Sequence, residues 1–356
     1  MDGTRKRTRV LIIDDSALMR KLLVGIMEQD PALEVVGTAL DPLDARDKIK
    51  ALHPDVLTLD IEMPKMDGLT FLRNLMRLRP MPVVMISSLT DRGADATLAA
   101  LEIGAVDYVS KPKLDLQQGL DELAEIIVAK VKAAACARVT PRPTASSPGE
   151  QPHGRHAERS ITALGTTDRL IAIGSSTGGT EAVAEILARL PPDAPGVVIA
   201  QHIPEVFSQR WALRMDRESA LAVAEARDGE QILIGHAYIA PGGRHLRVER
   251  SGAKYVCRIG NDAPVNRHRP SVDVLFHSVA DQVGRNAVGG ILTGMGADGA
   301  DGLREMSRVG CKTVAQDRAS SVVWGMPGEA VKRGAAGEVL PLDAIADRIL
   351  SLARAL

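Results

Sequence analysis

LIAIGSSTGG, residues 170–179, is an apolar run that ends abruptly in glycines, two serines and a threonine. The helix-like segment TEAVAEILARL follows it at once. A strand, a tight glycine turn and a helix in this order lift a serine hydroxyl clear of a sheet edge and aim backbone N–H groups at a ligand. A nucleophilic serine in an α/β domain is therefore the leading hypothesis.

The turn itself offers two serines. GSSTG, residues 174–178, fits the G-x-S-x-G nucleophile elbow with Ser176 at its centre, and Ser175 stands where any small residue fits. Two other interpretations stay open on this motif alone: a plain strand-to-helix turn with a capping hydroxyl, and a phosphate cradle. The cradle is disfavoured because the motif lacks both the lysine of a P-loop and the G-x-G-x-x-G spacing.

A serine at its ordinary pKa is a poor nucleophile, so the chain must also supply a base and a group that orients the base. Only His202 directly follows a second apolar run, PGVVIAQH. The run AVGGILTGMGADGADGL, residues 287–303, passes from strand to helix again and carries Asp298 and Asp301 near its turn. Because parallel strands share their carboxyl edge, Ser176, His202 and one of these aspartates are predicted to meet. The order Ser, His, Asp disfavours a lipase-like fold, which has Ser, Asp, His.

The first 130 residues place different side chains at their strand ends. Helix-like segments such as SALMRKLLVGIMEQ separate the apolar runs, which predicts an open parallel sheet with its site at the carboxyl edge. The runs are RVLIIDD, ending in Asp14 and Asp15, VLTLD, ending in Asp60, PVVMISS, ending in Ser87 and Ser88, and AVDYVSKP, which carries Lys111.

Three carboxylates at one sheet edge repel each other unless a cation joins them. An oxygen-rich site of this kind suits Mg²⁺, which takes carboxylates, waters and a phosphate oxygen. Asp60 is then a candidate phosphoryl acceptor, with the Ser87 hydroxyl and the Lys111 ammonium placed to contact the phosphoryl oxygens. The alternative is an acidic, solvated sheet edge with no ligand.

This first pattern resembles the receiver domain of bacterial response regulators. The resemblance implies that Asp60 is phosphorylated and that Mg²⁺ is held by Asp15, Asp60 and the backbone carbonyl of Glu62. The receiver pocket that it implies consists of Asp14, Asp15, Ser87, Tyr108 as the switch aromatic, and Lys111.

A receiver joined to a Ser-His-Asp domain resembles the chemotaxis protein-glutamate methylesterases of the CheB family. The motifs that carry the resemblance are LDIEMPKMDGLTFL, GSSTGGTEA, APGGRHL, PVNRHRPSVDVLF, LTGMGADGA and VVWGMPGEA. The resemblance implies a catalytic triad of Ser176, His202 and Asp298. It also implies an oxyanion hole made by backbone N–H groups around Thr177 and Met295.

The family implies two doubly wound parallel-sheet α/β domains. We expect a flavodoxin-like receiver at 1–134, a flexible linker at 135–166 and a Rossmann-like methylesterase domain at 167–356. The activity implied is phosphorylation-regulated demethylation of glutamate γ-methyl esters on methyl-accepting chemotaxis receptors, with deamidation of receptor glutamines. A chemotaxis histidine kinase would be the phosphodonor, Mg²⁺ would serve the receiver, and the esterase reaction would need no cofactor. As a hypothesis, the unphosphorylated receiver covers the Ser176 rim.

Composition restricts the rival functions. The net charge of −1 gives no sign of nucleic-acid binding, and the three cysteines have no C-x-x-C spacing, so free thiols are expected. No run of eighteen apolar residues occurs, so we expect a cytoplasmic protein. We also expect a monomer, and the receptor substrate that the resemblance implies gives only peripheral contact with membrane-bound receptors. The rivals are a DNA-binding response regulator, which predicts a basic helix-turn-helix output, and a non-catalytic receptor-docking scaffold.

Two further features leave alternatives open. Trp324 is one of only eight aromatic residues, and it either packs in the core or forms a wall of the substrate cleft. Arg267, His268 and Arg269 precede a predicted helix. This cluster either attracts an acidic substrate surface or belongs to a solvated loop.

Overall fold

The computed structural model describes residues 6–63, 66–87, 91–111, 120–137, 139 and 168–356. The chain divides into two compact units, Met1–Arg142 and Pro143–Leu356. Ser88 and most of the predicted linker, residues 138 and 140–166, lie outside the described residues. Within the described residues, no helix is both long enough and apolar enough to cross a lipid bilayer.

The first unit is built on a five-stranded parallel sheet in the order β2-β1-β3-β4-β5. Its strands are β1 (Thr8–Ile13), β2 (Leu33–Ala39), β3 (Val56–Asp60), β4 (Val83–Ser87) and β5 (Asp107–Ser110). Its helices are α1 (Ala17–Met27), α2 (Pro42–Leu52), α3 (Gly68–Leu78), α4 (Asp91–Ile103) and α5 (Leu120–Ala135). This strand order is that of flavodoxin-like folds, as predicted.

Hydrophobic burial explains why these runs form a central sheet. Every residue of β3 and β4 is buried, as expected for parallel strands covered on both faces. The chain reverses its winding direction between β1 and β3, and parallel sheets bind ligands at such a switch point. Asp14 follows the last residue of β1 and Asp60 ends β3, so the fold brings the predicted acidic residues to this point.

The second unit has a seven-stranded parallel sheet in the order β14-β13-β12-β6-β7-β9-β8, with a separate antiparallel pair, β10 and β11. The strands are β6 (Leu170–Ser175), β7 (Gly196–Gln201), β8 (Ala222–Glu225), β9 (His236–Ile239), β10 (His245–Ser251), β11 (Lys254–Gly260), β12 (Ala287–Ile291), β13 (Lys312–Gln316) and β14 (Glu338–Leu340). The α-helices are α6 (Gly179–Arg189), α7 (Glu205–Glu218), α8 (Val272–Gln282), α9 (Ala300–Arg308), α10 (Met326–Lys332) and α11 (Leu342–Arg354), and Gly284–Asn286 forms one 3₁₀ turn.

The central strands of this sheet fix where its polar loops meet. Strand β6 pairs with β12 on one side and with β7 on the other, and every residue of β6 and β7 is buried. Ser175 lies opposite Gln201 in the register of β6 and β7. The residues that follow, Ser176 and His202, therefore emerge side by side at the carboxyl edge. Both units confirm the predicted class of two doubly wound α/β sheets.

Candidate functional site

The turn after β6 holds Ser176 in a defined backbone position. The Ser176 N–H donates to the carbonyl of Thr293 at 3.0 Å, and the Gly179 N–H donates to the Ser176 carbonyl at 2.7 Å. Gly178 has φ +75°, and a Cβ there would lie 2.7 Å from Val322. A glycine at this position therefore permits both the left-handed backbone and the close approach. Ser176 itself is half-buried, and the turn that carries it leads directly into α6.

Ser176, His202 and Asp298 form one chain of hydrogen bonds. Nδ1 of His202 lies 3.1 Å from the Ser176 hydroxyl, and Nε2 of His202 lies 2.8 Å from Oδ2 of Asp298. The two ring nitrogens thus face different partners. When the Nε2 proton is donated to Asp298, the lone pair of Nδ1 points at the serine hydroxyl. This is the arrangement of a base that can take the hydroxyl proton.

Asp298 is buried and accepts five hydrogen bonds. Burial alone raises the pKa of Asp298, but the hydrogen bond and charge of His202 and the bonds from Asn266 and Ser271 outweigh it and hold the pKa well below its usual range. The backbone N–H groups of Val272 and Asp273, at the start of α8, also donate to the carboxylate. A helix N-terminus stabilises a negative charge, so Asp298 stays ionised beside His202.

The structure separates the residues that the sequence left as alternatives. Asp301 pairs with Arg333 at 2.6 Å and with Arg304 at 3.4 Å, so its partners differ from those of Asp298. Ser175 is fully buried, and its hydroxyl donates to Oε1 of Gln201 at 2.6 Å. Of the two serines and the two aspartates, only Ser176 and Asp298 contact His202 among the hydrogen bonds of the described residues.

Sequence reasoning missed several residues that support this chain. Gln201 donates from Nε2 to the carbonyls of Ser176 and His202, at 2.9 and 3.2 Å, and so ties the two strand ends together. Ser271 caps α8 and donates to Asp298 at 2.7 Å. A serine directly before an apolar helix predicts an N-cap, but no local signal shows that its hydroxyl reaches an aspartate 27 residues away.

Two backbone N–H groups near Ser176 are engaged elsewhere and so are excluded as oxyanion donors. The Ser176 N–H bonds to Thr293, and the Gly294 N–H bonds to the Val323 carbonyl at 3.0 Å. A Cβ on Gly294 would lie 2.8 Å from Cβ of Ser176, so the backbone that leads into Met295 passes directly against the serine. The predicted donors, Thr177 and Met295, stand next in sequence to these two engaged groups.

A groove of about 610 Å³ lies beside this backbone. Trp324 forms part of its wall, while the Trp324 Nε1–H donates to the carbonyl of Gln316 at 3.0 Å. Trp324 is half-buried, with one side against the protein and one side on the groove. The other residues that line the groove are Gly296, Ala297, Gly325, Gly328, Glu329, Val331 and Lys332.

The first unit brings its predicted acidic residues together. Carboxylate oxygens of Asp14, Asp15 and Asp60 all lie within 4.8 Å of one another. Nζ of Lys111 lies 2.7 Å from Oδ2 of Asp60 and 3.4 Å from Oδ2 of Asp14. The Glu62 N–H donates to Oδ1 of Asp60 at 3.3 Å. Lys111 thus pairs with two of the three carboxylates, and the cluster keeps more carboxylates than ammonium partners.

The electrostatics of this pocket fit a hard divalent cation. Burial raises the pKa of Asp60 to about 6, with a further contribution from Asp14, and the bond to Lys111 only partly opposes the shift. Burial also raises the pKa of Asp14, and the ammonium of Lys111, 3.4 Å from its buried Oδ2, only partly opposes the shift. A bound dication would stabilise both carboxylates and so lower both pKa values. Mg²⁺ prefers oxygen ligands such as these.

Two further predicted pocket residues lie on the neighbouring strands. Ser87 is the last residue of β4, and its hydroxyl donates to the carbonyl of Gly93 at 3.4 Å. Tyr108 on β5 is buried, and the ammonium of Lys130 lies 5.0 Å from its ring centroid. Burial holds the pKa of Tyr108 well above its usual range, so the phenol stays neutral.

Each of the two units of the chain matches a known protein family. The family model for the CheB methylesterase matches residues 171–349, and that for the response regulator receiver domain matches residues 10–123. The protein-glutamate methylesterase/protein-glutamine glutaminase 1 of Xanthomonas euvesicatoria pv. vesicatoria is 60% identical over 346 residues, which covers 97% of each chain. The protein of the same name from Hahella chejuensis is 58% identical and covers 97% of this chain and 96% of its own.

A solved structure agrees with the second unit. The crystal structure of the Thermotoga maritima CheB methylesterase catalytic domain has a TM-score of 0.51 and 36% identity, and the match covers 52% of this chain and 98% of that one. Sequence and fold therefore agree over both units. The chain belongs to the CheB methylesterase family and carries a response regulator receiver domain before its methylesterase domain.

Proposed function

We propose that this protein hydrolyses glutamate γ-methyl esters on methyl-accepting chemotaxis receptors and deamidates receptor glutamines. The observation that carries the proposal is the continuous hydrogen-bond chain from Ser176 through His202 to Asp298. The names of its relatives supply the substrate class: protein-glutamate methylesterase/protein-glutamine glutaminase. Esters and primary amides of the glutamate side chain react by the same acyl transfer, which explains one site with two activities.

In the proposed acylation step, the Ser176 oxygen attacks the ester carbonyl carbon while its proton passes to Nδ1 of His202. Asp298 keeps the other ring proton on Nε2 and stabilises the imidazolium that forms. We propose the backbone N–H groups of Thr177 and Met295 as donors to the tetrahedral oxyanion, each contributing about 3–4 kcal/mol. The carbon–oxygen bond to the methoxy group then breaks, and the Nδ1 proton leaves with methanol.

Deacylation reverses these roles. A water molecule attacks the acyl carbon and gives its proton to Nδ1 of His202, and the bond to the Ser176 oxygen breaks. The Nδ1 proton returns to Ser176, and the product glutamic acid loses its remaining proton to solvent to give the carboxylate. With a glutamine substrate, ammonia replaces methanol as the leaving group. The protein supplies every group used in these steps, so the proposal needs no cofactor for the esterase reaction.

Methanol release from methylated receptor membranes tests this function. Wild type and Ser176→Ala are compared at equal concentration, and loss of the serine should lower kcat by about 10⁶. The matched control is Ser351→Ala, which removes an exposed hydroxyl on α11. Methanol release by Ser176→Ala at the wild-type rate would refute the proposal.

We further propose that Asp60 accepts a phosphoryl group from a chemotaxis histidine kinase. Asp15, Asp60 and the Glu62 carbonyl would hold Mg²⁺, which would neutralise charge on the phosphoryl oxygens, with Asp14 nearby. Lys111 and Ser87 would contact those oxygens. The close carboxylates and the raised pKa of Asp60 support the proposal. A coupling of about 1–3 kcal/mol to the esterase site corresponds to about 5- to 150-fold activation.

The full-length chain provides the test of this regulation. Methanol release is measured with and without a small-molecule phosphodonor and Mg²⁺, in wild type and in Asp60→Asn. Activation should occur in wild type only. Equal activation of both proteins would refute Asp60 as the acceptor, whereas no activation of either would refute phosphorylation control without affecting the esterase proposal.

We also propose the boundaries 1–134, 135–166 and 167–356 for the receiver, linker and methylesterase domains. Their support is that α5 ends at Ala135 and that β6 begins at Leu170. The intervening sequence is rich in proline, serine and glycine, which is typical of a linker.

A further inference from the structure

A tight turn, Val265–His268, lies beside the proposed triad. The His268 N–H donates to the Val265 carbonyl at 2.9 Å, and the Val265 N–H donates to the His268 carbonyl at 3.1 Å. The two central residues, Asn266 and Arg267, have φ +53° and +67°. Two central residues with positive φ define a type I′ turn, which normally prefers Asn followed by Gly. Arg267 therefore occupies a backbone conformation that disfavours a side chain.

The first central side chain reaches Asp298. Nδ2 of Asn266 donates to Oδ1 of Asp298 at 2.8 Å and to Oδ2 of Asp273 at 2.7 Å. One amide group thus bridges two buried carboxylates. Burial and the nearby Asp298 raise the pKa of Asp273, so a donor between these two groups reduces their repulsion. The bridge fixes the Asp298 carboxylate on the side opposite His202.

The last residue of the turn packs on the proposed base. The imidazole of His268 is stacked on that of His202, with ring centroids 3.6 Å apart and an angle of 11° between the ring planes. Hydrogen bonds to Ser176 and Asp298 hold the two nitrogens of the His202 ring, and a group stacked above the plane adds resistance to tilting. His268 is such a group, and its π face is adjacent to the imidazolium that forms during acylation.

The ends of the turn are held by a buried residue on β10. His245 is fully buried; its Nε2 lies 3.1 Å from the Ala263 carbonyl, and the Ser271 N–H donates to its Nδ1 at 3.2 Å. The guanidinium of Arg269 donates to the carbonyls of Asn261 and Asp262, both at 3.1 Å. The turn is therefore anchored on both sides to the body of the domain.

We propose that the Val265–His268 turn is a positioning element of the triad, with Asn266 and His268 as positioning residues that act through Asp298 and His202. The inference rests on the proposed function, because it assumes that these two residues take part in the reaction. One backbone turn holds both of them, so Asp298 and His202 keep their mutual distance when substrate binds. The sequence motif NRHRP, residues 266–270, would then hold the triad residues in position in addition to supplying positive charge.

The ring of His268 is tested by His268→Ala and His268→Phe, with kcat and KM measured separately for methyl-ester hydrolysis. Loss of the stacked ring should lower kcat by about 2- to 12-fold with KM unchanged, and phenylalanine should restore most of the loss because it keeps a flat ring. His236→Ala, at the amino end of β9 and thus at the opposite edge of the sheet, is the matched control. Wild-type kcat in His268→Ala would overturn the role of the ring.

The backbone of the turn is tested by Arg267→Gly and Arg267→Val. Both variants lack the guanidinium, and glycine adopts φ +67° readily whereas the β-branched valine does not. The glycine variant should exceed the valine variant in kcat by about 5- to 30-fold. Equal kcat values in this pair would overturn the proposal, even if His268→Ala failed to fold.

Ser176→Ala separates this inference from the function on which it rests. If wild type releases no methanol, or if Ser176→Ala is fully active, the proposed function fails. If wild type is active and Ser176→Ala is not, while the His268 and Arg267 variants match their controls, only the role of the turn is refuted.

Discussion

Replacement of Asp298 by asparagine perturbs the hydrogen-bond chain at its most connected residue. The carboxylate accepts five hydrogen bonds, two on Oδ2 and three on Oδ1. An asparagine offers one acceptor oxygen and one NH₂ group that can only donate. Whichever way the asparagine amide is turned, its NH₂ group therefore lies against at least two hydrogen-bond donors of the surrounding protein. The better orientation directs it at His202 and at the Val272 N–H.

This orientation has a chemical consequence for the base. An NH₂ that donates to Nε2 of His202 moves the ring proton to Nδ1, which faces the Ser176 hydroxyl. The lone pair that should accept the serine proton is then lost. The same change of tautomer in chymotrypsin-type proteases lowers kcat by about 10⁴, and we expect a loss of that order. The Val272 N–H and the second N–H of the asparagine are then buried without acceptors, which costs about 2–6 kcal/mol in the free energy of unfolding.

The assay is methanol release under saturating substrate, with thermal unfolding recorded for the same preparations. Asp301→Asn is the matched control, because it makes the same substitution three residues later on a half-exposed pair with Arg333 worth about 0–1 kcal/mol. We expect near wild-type kcat for the control. A kcat for Asp298→Asn within tenfold of wild type, or an equal loss in Asp301→Asn, would refute the reasoning.

Three further predictions address the neighbouring structure. Ser175→Ala should keep most of the activity but lower the free energy of unfolding by about 1–3 kcal/mol, since it leaves a buried side-chain oxygen without its donor; inactivity of the folded variant would contradict this. Gly294→Ala should abolish most activity, because the new Cβ would lie 2.3 Å from Met326 and 2.8 Å from Ser176; wild-type kcat would contradict it. The pKa of Asp60 is raised to about 6, so its contribution to stability is complete below about pH 4 and lost as the pH rises through 6. In Mg²⁺-free buffer, Asp60→Asn should therefore raise the free energy of unfolding by about 1–3 kcal/mol at pH 7.5 and not below pH 4; equal gains at both pH values, or destabilisation at pH 7.5, would contradict this.

The strand ends could be predicted from the sequence because each apolar run stops at a polar side chain. Buried parallel strands require such runs, and a parallel sheet collects their carboxyl ends at one edge. Strand ends therefore predicted that Ser176 and His202 meet with either Asp298 or Asp301, the family resemblance selected Asp298, and the structure brings these three residues together. The same logic brought Asp14, Asp15 and Asp60 to the first sheet.

The supporting residues could not be predicted in this way. Asn266 and His268 lie on a turn rather than at a strand end, and the turn places Arg267 where local preference calls for glycine. The contact from Asn266 to Asp298 spans 32 residues, and that from Gln201 to Ser176 crosses between strands. The register of β6 and β7 defines the contact from Gln201 to Ser176, and the loop that follows β11 carries Asn266 to Asp298. Neither hydrophobic periodicity nor a short motif encodes these contacts.

Covalent labelling by a fluorophosphonate probe tests the nucleophile most directly, because the probe reports an activated serine without a receptor substrate. Intact-mass measurement and peptide mapping are applied to wild type, Ser175→Ala, Ser176→Ala and His202→Ala. We predict one adduct, on Ser176, in wild type and Ser175→Ala, and none in the other two variants. An adduct on another residue, or labelling of Ser176→Ala at the wild-type rate, would contradict Ser176 as the nucleophile.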